Sequence, residues 1–351
     1  MTLTLIDLLK IGFVLMLPLQ TVPVLVWMER KLSAFIQCRV GPERAAIFGF
    51  RAFGLFHPLA DAIKLLFKED LMPARAEKFV YTLAPLLVLV PPMLGMAVLP
   101  FANQYGDTPM VAARLPIGIL WLMSVLSIGV YGLAFGGWAS TNKYALLGGL
   151  RSSAQMISYE LCLGLTLIAL IMMSGTIDPV DIVRGQAERG WNVFGGGHWY
   201  FLPSGIVALF LLYTAGLAEN NRLPFDLPEC ESELVAGYHT EYSSMKFSMF
   251  FMGEYVAMIT MSSLITTMLL GGWHFPWITD PAATSFVGGV LIPFTVFFTK
   301  VMIILTISMW VRWTLPRFKY NQLMNLGWKV LVPIALVNLA VIGVLGVVFK
   351  G

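Results

Sequence analysis

Charge is scarce along this chain. Asp, Glu, Lys and Arg make up only 12% of its 351 residues, whereas hydrophobic residues make up 58%. A soluble domain carries about 25% charged residues, so the composition excludes an ordinary soluble fold. The net charge of +3 is small and gives no reason to expect a nucleic-acid partner.

Cysteine and histidine are sparse as well. Cys38, Cys162 and Cys230 lie far apart, and the four His residues are scattered. Neither set has the ligand spacing of a zinc or iron–sulfur site. The sequence also lacks a phosphate-binding glycine loop, a nucleophile–base motif and an HExxH metal motif. We therefore expect no metal or covalent cofactor on this chain, and no hydrolytic or group-transfer chemistry.

Long apolar runs are what the chain has in abundance. Each run is long enough to cross a hydrocarbon core of about 30 Å as a helix. They lie at about 5–28, 79–100, 115–137, 153–173, 202–218, 247–271, 286–311 and 329–349. The pattern predicts an all-α polytopic membrane protein with about eight transmembrane helices, forming a single membrane domain over residues 1–351.

Basic residues are distributed unevenly between the two sides of the predicted bundle. The loops after the first, third, fifth and seventh runs hold 17 of the 23 Lys and Arg residues, counting the residues that flank each run. Because basic loops stay on the cytoplasmic side, these loops are expected to face inward and both termini to face the opposite side. The inward loops cover about 29–78, 138–152, 219–246 and 312–328.

Two connecting segments carry local patterns. In residues 57–69, Asp61, Lys64 and Lys68 fall on one face of a helix and apolar side chains on the other. This short amphipathic helix suits the membrane interface, and it equally suits a site covered by a partner protein. The segment 174–201, on the outward side, is rich in glycine and is interpreted as a flexible connector.

The inward segment 219–246 concentrates acidic residues between two apolar runs. Pro224 and Pro228 prevent a continuous helix there. Six carboxylates occur within it: Glu219, Asp226, Glu229, Glu231, Glu233 and Glu241. Crowded carboxylates raise one another's pKa values, so the segment is typical of a protein that handles protons or cations. The alternative is a solvated surface that binds a basic partner.

Further ionisable residues fall within the predicted spans. Glu160 and Glu254 lie inside the fourth and sixth runs, Glu219 ends the fifth, and Lys300 is central in the seventh. A charge at this depth costs several kcal/mol, so it usually faces a protein interior and is paired there. We expect the three Glu residues to form a proton relay with the acidic segment. The alternative is neutral acids that only hydrogen-bond neighbouring helices. The role of Lys300 stays open, because a long side chain can either snorkel or neutralise a carboxylate.

A basic segment follows the first span, with Glu29 and Arg30 at its start and Arg39 further on. Its arginines suit a polar head group, a carboxylate of the acidic segment or a lipid phosphate. The tendency of basic residues to lie on the inward side explains the presence of these arginines equally well.

At these residues the chain resembles a family of membrane subunits of NADH–quinone oxidoreductase, the H subunits of bacterial respiratory complex I, whose mitochondrial counterpart is NADH dehydrogenase subunit 1. The matching blocks lie at 29–42, 58–64, 153–160, 218–238 and 315–329, in family order. The most specific block includes Glu-Asn-Asn-Arg-Leu-Pro-Phe-Asp at 219–226. Departures occur at 43–46, at His57 and Cys230, and at Asn321, where the family usually has Asp.

The resemblance implies a non-autonomous subunit of a proton-pumping NADH–quinone oxidoreductase in the bacterial inner membrane. Quinone, ubiquinone in the first instance, would be bound near Glu29, Arg30, Arg39 and Phe251. The implied proton-transfer residues are Glu160, Glu219, Asp226, Glu229, Glu231, Glu233 and Glu254. NADH, FMN and iron–sulfur clusters would be held by partner subunits, with soluble quinone-site subunits, membrane-arm subunits and lipids as neighbours. No residue of this chain alone would be catalytic.

Two alternatives remain at this point. One is the membrane anchor subunit of an energy-converting hydrogenase, which shares the fold and has no quinone. The other is an independent proton or cation transporter. The absence of a recognisable internal repeat counts against the transporter, because many such folds are built from inverted repeats.

Overall fold

Helices form nearly all of the regular structure in a computed structural model, which describes residues 5–46, 49, 51–106, 108–227 and 235–350. In the described residues the α-helices are, in order, α1 Leu5–Ile36, α2 Phe56–Phe67, α3 Lys78–Met96, α4 Gly118–Ala139, α5 Lys143–Ser174, α6 Pro179–Arg189, α7 Leu202–Glu219, α8 Ser244–Leu269, α9 Ile292–Thr314, α10 Tyr320–Leu326 and α11 Val332–Lys350. A small hairpin pairs β1 Gln104–Tyr105 with β2 Thr108–Pro109. The predicted all-α fold is confirmed.

Eight helical segments in the described residues are long and apolar enough to cross a membrane. They are Ile6–Ile36, Lys78–Met96, Gly118–Ala139, Lys143–Ser174, Trp199–Glu219, Ser244–Leu269, Phe286–Thr314 and Tyr320–Phe349. Each coincides with one of the predicted runs, because a spanning segment must satisfy its backbone hydrogen bonds within itself and must be apolar throughout.

Two helices extend well beyond the predicted apolar runs. α1 continues to Ile36, past the charged residues Glu29 and Arg30, and α5 begins at Lys143 rather than 153. The side chain of Asn142 starts α5 by accepting a hydrogen bond from the backbone N–H of Tyr144. Hydropathy marks only the apolar part of a helix, whereas the helix itself ends at its caps. Glu160 therefore lies near the middle of α5.

Successive spans run in opposite directions, so their connections gather at two ends of the bundle. We call the end with the connections after α1, α4, α7 and α9 the acidic end, because it includes the segment 219–246. The other end, with the connections after α3, α5 and α8, is the glycine end. The sequence predicts that the acidic end faces inward.

The amphipathic helix predicted at the acidic end is present as α2. It is fastened to α1, where Arg30 pairs with Asp61 at 2.6 Å. It is also fastened to the start of α8, where the Ser244 hydroxyl donates to the Leu65 carbonyl at 3.0 Å. Phe67 is 86% exposed on this chain. The apolar face of α2 is thus free to meet lipid, quinone or a partner protein.

The prediction of a flexible connector at 174–201 is wrong. This segment contains α6, whose first turn is capped by the Asp178 carboxylate accepting from the N–H of Val180. Gln186 and Asn192 are buried and bond to α8. The glycines permit a tight turn rather than mobility, since Gly195 holds a φ of 88° that side chains disfavour.

The helix α8 occupies the centre of the molecule. In its most apolar 18-residue stretch, 72% of the residues are buried, the highest share among the eight spans of the described residues. α1, α3, α7 and α9 all pack against it. Polar side chains in the middle of α8 are therefore largely enclosed by protein, and two of them, Glu254 and Tyr255, define the candidate site.

Candidate functional site

Glu29, on α1, is the most heavily paired carboxylate at the acidic end. The side chain is buried, and its two oxygens accept hydrogen bonds from the Arg312 guanidinium and the Tyr255 hydroxyl. The guanidinium of Arg222 lies 3.9 Å from the same carboxylate. Three separate elements thus converge on Glu29, and two cations compensate its burial.

Arg222 connects this carboxylate to a second one. Its guanidinium, in a side chain only 5% exposed, lies 3.3 Å from Glu254 on α8. It also stacks over the ring of Tyr255 at 4.3 Å. The backbone that places Arg222 follows directly from the end of α7, where Asn220 and Asn221 turn the chain. One guanidinium is therefore shared by carboxylates from two helices.

Glu254 also accepts a hydrogen bond from the Tyr238 hydroxyl at 3.0 Å. Beside this pair lies a cavity of about 40 Å³, bordered by Glu219, Asn220, Asn221, Tyr238 and Glu254 among apolar side chains. A water molecule needs roughly 10–15 Å³ and two or more polar partners, so the cavity can hold water. The Oε2 atom of Glu219 is buried and has no hydrogen-bond partner among the described residues. The cavity thus joins the carboxylates of α7 and α8.

Glu160 extends the series of acids away from the cavity. Its carboxylate accepts a hydrogen bond from the Ser127 hydroxyl of α4 and interacts electrostatically with Glu219. The described structure therefore brings together Glu160, Glu219 and Glu254, with Glu29 reached through Arg222.

The charge network comprises Glu29, Arg222, Glu254, Tyr255 and Arg312. Asp226 lies beside it, in the connection after α7. Its carboxylate pairs with Arg317 at 2.9 Å, while its other oxygen is buried without a hydrogen-bond partner among the described residues. Burial raises the pKa of Asp226, and the charge of Arg317 opposes this rise. The nearby Glu254 raises the pKa further. Opposing effects thus act on Asp226, and because burial is the largest of them, its pKa is raised.

The residues expected to contact quinone fall into two groups. Glu29 is buried among the charged partners described above, whereas its neighbour Arg30 points to a different face of α1 with 43% of its side chain exposed. Phe251 is 39% exposed and packs its ring against Tyr255 at 5.0 Å. Arg39 is exposed, and its side chain bonds to the nearby Gln37. Arg30 and Phe251 are therefore the surface groups that lie next to the network.

The other acids of the segment differ in their surroundings. Glu241 accepts a hydrogen bond from the Asn142 amide at 2.7 Å, and its backbone carbonyl accepts one from Tyr81 at 2.8 Å. These bonds fasten the segment to α3 and α5. Glu229, Glu231 and Glu233 lie outside the described residues, as does Cys230.

Sequence reasoning missed the partners that complete the network, chiefly Tyr238, Tyr255 and Arg312. Arg312 could have been found, since it is a cation at the end of an apolar run, as Glu29 is an anion at the end of another. The two tyrosines carry no such signal in a chain with 11 tyrosines. Only the packing of α8 against its neighbours identifies them.

Lys300 belongs to a different site, at the glycine end. Its ammonium donates to the backbone carbonyls of Leu270, Gly272 and His274 at 2.6, 3.0 and 2.6 Å. It also lies 4.4 Å from the centre of the Trp191 ring. Among the described residues, no carboxylate forms an ion pair with Lys300. The carbonyls exposed where α8 ends attract the ammonium instead.

Comparison with known proteins identifies the family. A sequence model of the NADH dehydrogenase family matches residues 9–343. NADH-quinone oxidoreductase subunit 8 of Rhodothermus marinus is 46% identical over 329 residues, covering 92% of each chain. The second H subunit of the same enzyme in Syntrophobacter fumaroxidans is 44% identical, covering 95% of this chain and 94% of the relative. The first H subunit in Geobacter metallireducens is 44% identical, covering 96% and 95%. The chain belongs to the NADH dehydrogenase family of NADH–quinone oxidoreductase membrane subunits.

Membership of this family confirms the resemblance that the sequence motifs indicated. Together with the eight apolar spans of the described residues, it makes the chain a multi-pass membrane protein and a subunit of an oxidoreductase complex. The relatives' names favour the quinone enzyme over the hydrogenase-anchor and transporter alternatives. The departure at Asn321 is an exposed residue of α10.

Proposed function

We propose that the chain forms the membrane wall of a quinone chamber and couples quinone reduction to proton translocation. Soluble partner subunits would complete the chamber and hold NADH, FMN and the iron–sulfur clusters, and other membrane-arm subunits would carry the pumped protons. The quinone, ubiquinone in the first instance, would come from the bilayer of a bacterial inner membrane. Both termini would lie on the periplasmic side, with the acidic end facing the soluble partners.

The proposed quinone path runs where α1, α2 and α8 meet. α2 contacts both of the other helices. Its exposed apolar side chains suit a polyisoprenoid tail, while Phe251 and Arg30 offer a ring and a cation at the same junction. Arg39, which lies beyond the end of α1, would contact the quinone head group where a partner subunit completes the chamber. Glu29, which is buried beneath this surface, would affect the quinone through its charge.

The shared guanidinium of Arg222 is the observation that carries the proposed coupling. A change of charge at the quinone side alters the pairing of Glu29, and Arg222 then interacts more or less strongly with Glu254. At 3–4 Å in a poorly solvated interior, such a change is worth several kcal/mol. Glu254 would take up or release a proton in response, through the cavity shared with Glu219.

The remaining acids have assigned places in this proposal. Glu160 and Glu219 would pass protons from the cavity towards neighbouring membrane subunits, and Asp226 would respond to the same charges from the connection after α7. For Glu229, Glu231 and Glu233 the proposal rests on their crowding in the sequence. Replacing Glu231 and Glu233 together with Gln should lower quinone reductase activity while leaving assembly intact. Wild-type turnover and pumping in that variant would remove these two residues from the path.

The experiment that tests the proposal compares Glu254→Gln with Glu188→Gln, which neutralises an exposed glutamate of α6 at the other end of the bundle. Membranes from complemented deletion strains are assayed for NADH oxidation by quinone and by a soluble artificial acceptor. Glu254→Gln should lower the quinone reaction by about tenfold or more, since a proton relay would lose a group. The artificial-acceptor reaction and the Glu188→Gln variant should match wild type. Full quinone activity and proton pumping in Glu254→Gln would overturn the coupling role.

A further inference from the structure

A groove at the glycine end has no role in the proposed function. It lies between the first turns of α1 and the start of the span Phe286–Thr314, beneath the connection that carries the β-hairpin. Its volume is about 500 Å³, within the range of about 300–1,000 Å³ that is common for ligand sites. Its walls are mainly apolar, with Leu9, Phe13, Phe101 and Phe294 among them, and its polar side chains are Lys10 and Tyr105.

The groove opens sideways, towards the bilayer. Two of its lining side chains, Leu9 and Phe286, are 65% and 60% exposed on the surfaces of transmembrane segments. Both lie within the first turns of their helical segments, so the groove sits at the depth where lipid head groups meet acyl chains. An occupant can therefore enter from the membrane without passing through water.

Lys10 is a charged residue in the otherwise mainly apolar wall of the groove. Its side chain is only 7% exposed, and its only polar partner among the described residues is Asp7, at 3.5 Å. An ammonium group has three donors, and a charge in a membrane span needs compensation. Asp7 itself is partly exposed, with 37% of its side chain accessible. The groove thus presents a buried cation with unused hydrogen-bond donors.

We propose that this groove binds a phospholipid with a primary-amine head group, such as phosphatidylethanolamine. An acyl chain would fill the apolar part, the phosphate would accept hydrogen bonds from Lys10, and the ammonium would pair with Asp7. The order of charges supports a zwitterion, because Asp7 lies about 4.5 Å nearer the helix end than Lys10. A lipid likewise places its amine nearer water than its phosphate. A purely anionic head group would meet Asp7 with like charge.

The test uses the complete complex, purified in mild detergent from wild type and three variants. Lys10→Met removes the cation, and Val290→Trp fills the groove while leaving the charges in place. Lys329→Met is the control, because it removes an exposed lysine from the acidic end. Bound lipids are identified and counted by native mass spectrometry and by quantitative extraction. Assembly and NADH oxidation by an artificial acceptor are measured on the same samples.

Wild type and Lys329→Met should retain a tightly bound phosphatidylethanolamine that both Lys10→Met and Val290→Trp lose. Photo-crosslinking from position 13 should label lipid. The proposal is overturned if the wild-type complex holds no stoichiometric lipid, if both variants keep it, or if the bound lipid is purely anionic. Crosslinks from position 13 to a neighbouring subunit alone would also overturn it. Because lipid retention is scored without quinone turnover, failure here leaves the proposed coupling role untouched.

Discussion

The two ends of α8 satisfy their polar groups in opposite ways. At the glycine end, carbonyls in and just beyond its last turn accept hydrogen bonds from three side chains on three other segments, Gln186, Asn192 and Lys300. At the acidic end, Glu254 shares the guanidinium of Arg222 with Glu29 and borders a cavity. Neutral carbonyl partners hold one end in a single arrangement. At the other end one cation interacts with two carboxylates, so a change of charge on either carboxylate affects both interactions.

We propose that this difference gives the two ends of one helix separate tasks. The glycine end would hold α8 in place, so that a shift of charge at the acidic end changes local interactions there. If the assignment is right, substitutions at the acidic end change quinone turnover, whereas substitutions at the glycine end change stability. Four substitutions separate these outcomes, and the largest effect is expected at Arg222.

Arg222→Met should produce the largest loss. It leaves Glu29 with one cation and Glu254 without its guanidinium, and breaking a buried pair costs about 3–5 kcal/mol. Quinone reductase activity per assembled complex should fall to near background, while the artificial-acceptor reaction persists. Arg222→Lys, which keeps the charge, should recover part of the activity. Similar losses in both variants would show that geometry rather than charge matters at this position.

Lys300→Met should lower stability rather than turnover. The three carbonyls of Leu270, Gly272 and His274 would lose a charged donor, which costs about 1.5–3 kcal/mol. The thermal denaturation midpoint of the purified complex should fall, while the KM for quinone stays at its wild-type value. Lys329→Met, an exposed lysine, serves as the control. A changed quinone KM with unchanged stability would reverse the assignment of the two ends.

Arg317→Met should shift the pH profile of quinone reduction. Burial raises the pKa of Asp226 and Arg317 opposes that rise, so removal of the cation raises the pKa further. If ionised Asp226 supports turnover, the acid limb of the profile moves to higher pH, by about one unit or more. Arg317→Lys should leave the limb close to its wild-type position. A limb that moves to lower pH, or does not move, would remove Asp226 from the path.

Arg30→Ala should have the smallest effect, a rise of a few-fold in the apparent KM for quinone. Its side chain is 43% exposed and pairs with Asp61, and such surface pairs contribute about 1 kcal/mol or less. Lys64→Ala is a matched control, because Lys64 contacts the same carboxylate at 3.7 Å. If both variants change the KM equally, the position of α2 rather than Arg30 itself affects quinone.

The sequence was sufficient to predict the spans, α2 and most of the acids that gather at the acidic end. Apolar length and helical periodicity determine those features directly. The sequence could not predict that Glu29 faces the protein interior and Arg30 the surface, since the two neighbours are both charged. It also left Lys300 open and misjudged the segment 174–201, because the polar side chains of both bond to backbone carbonyls. Hydropathy does not register such partners.

The most direct test of the shared guanidinium is a double-mutant cycle on the two carboxylates that it joins. Quinone reductase activity and proton pumping are measured for Glu29→Gln, Glu254→Gln and the double variant, each normalised to assembled complex. If one charge network links the two residues, their effects are strongly non-additive, and the double variant loses little more than the worse single variant. If the two losses simply multiply, the carboxylates act independently, and coupling through Arg222 is contradicted.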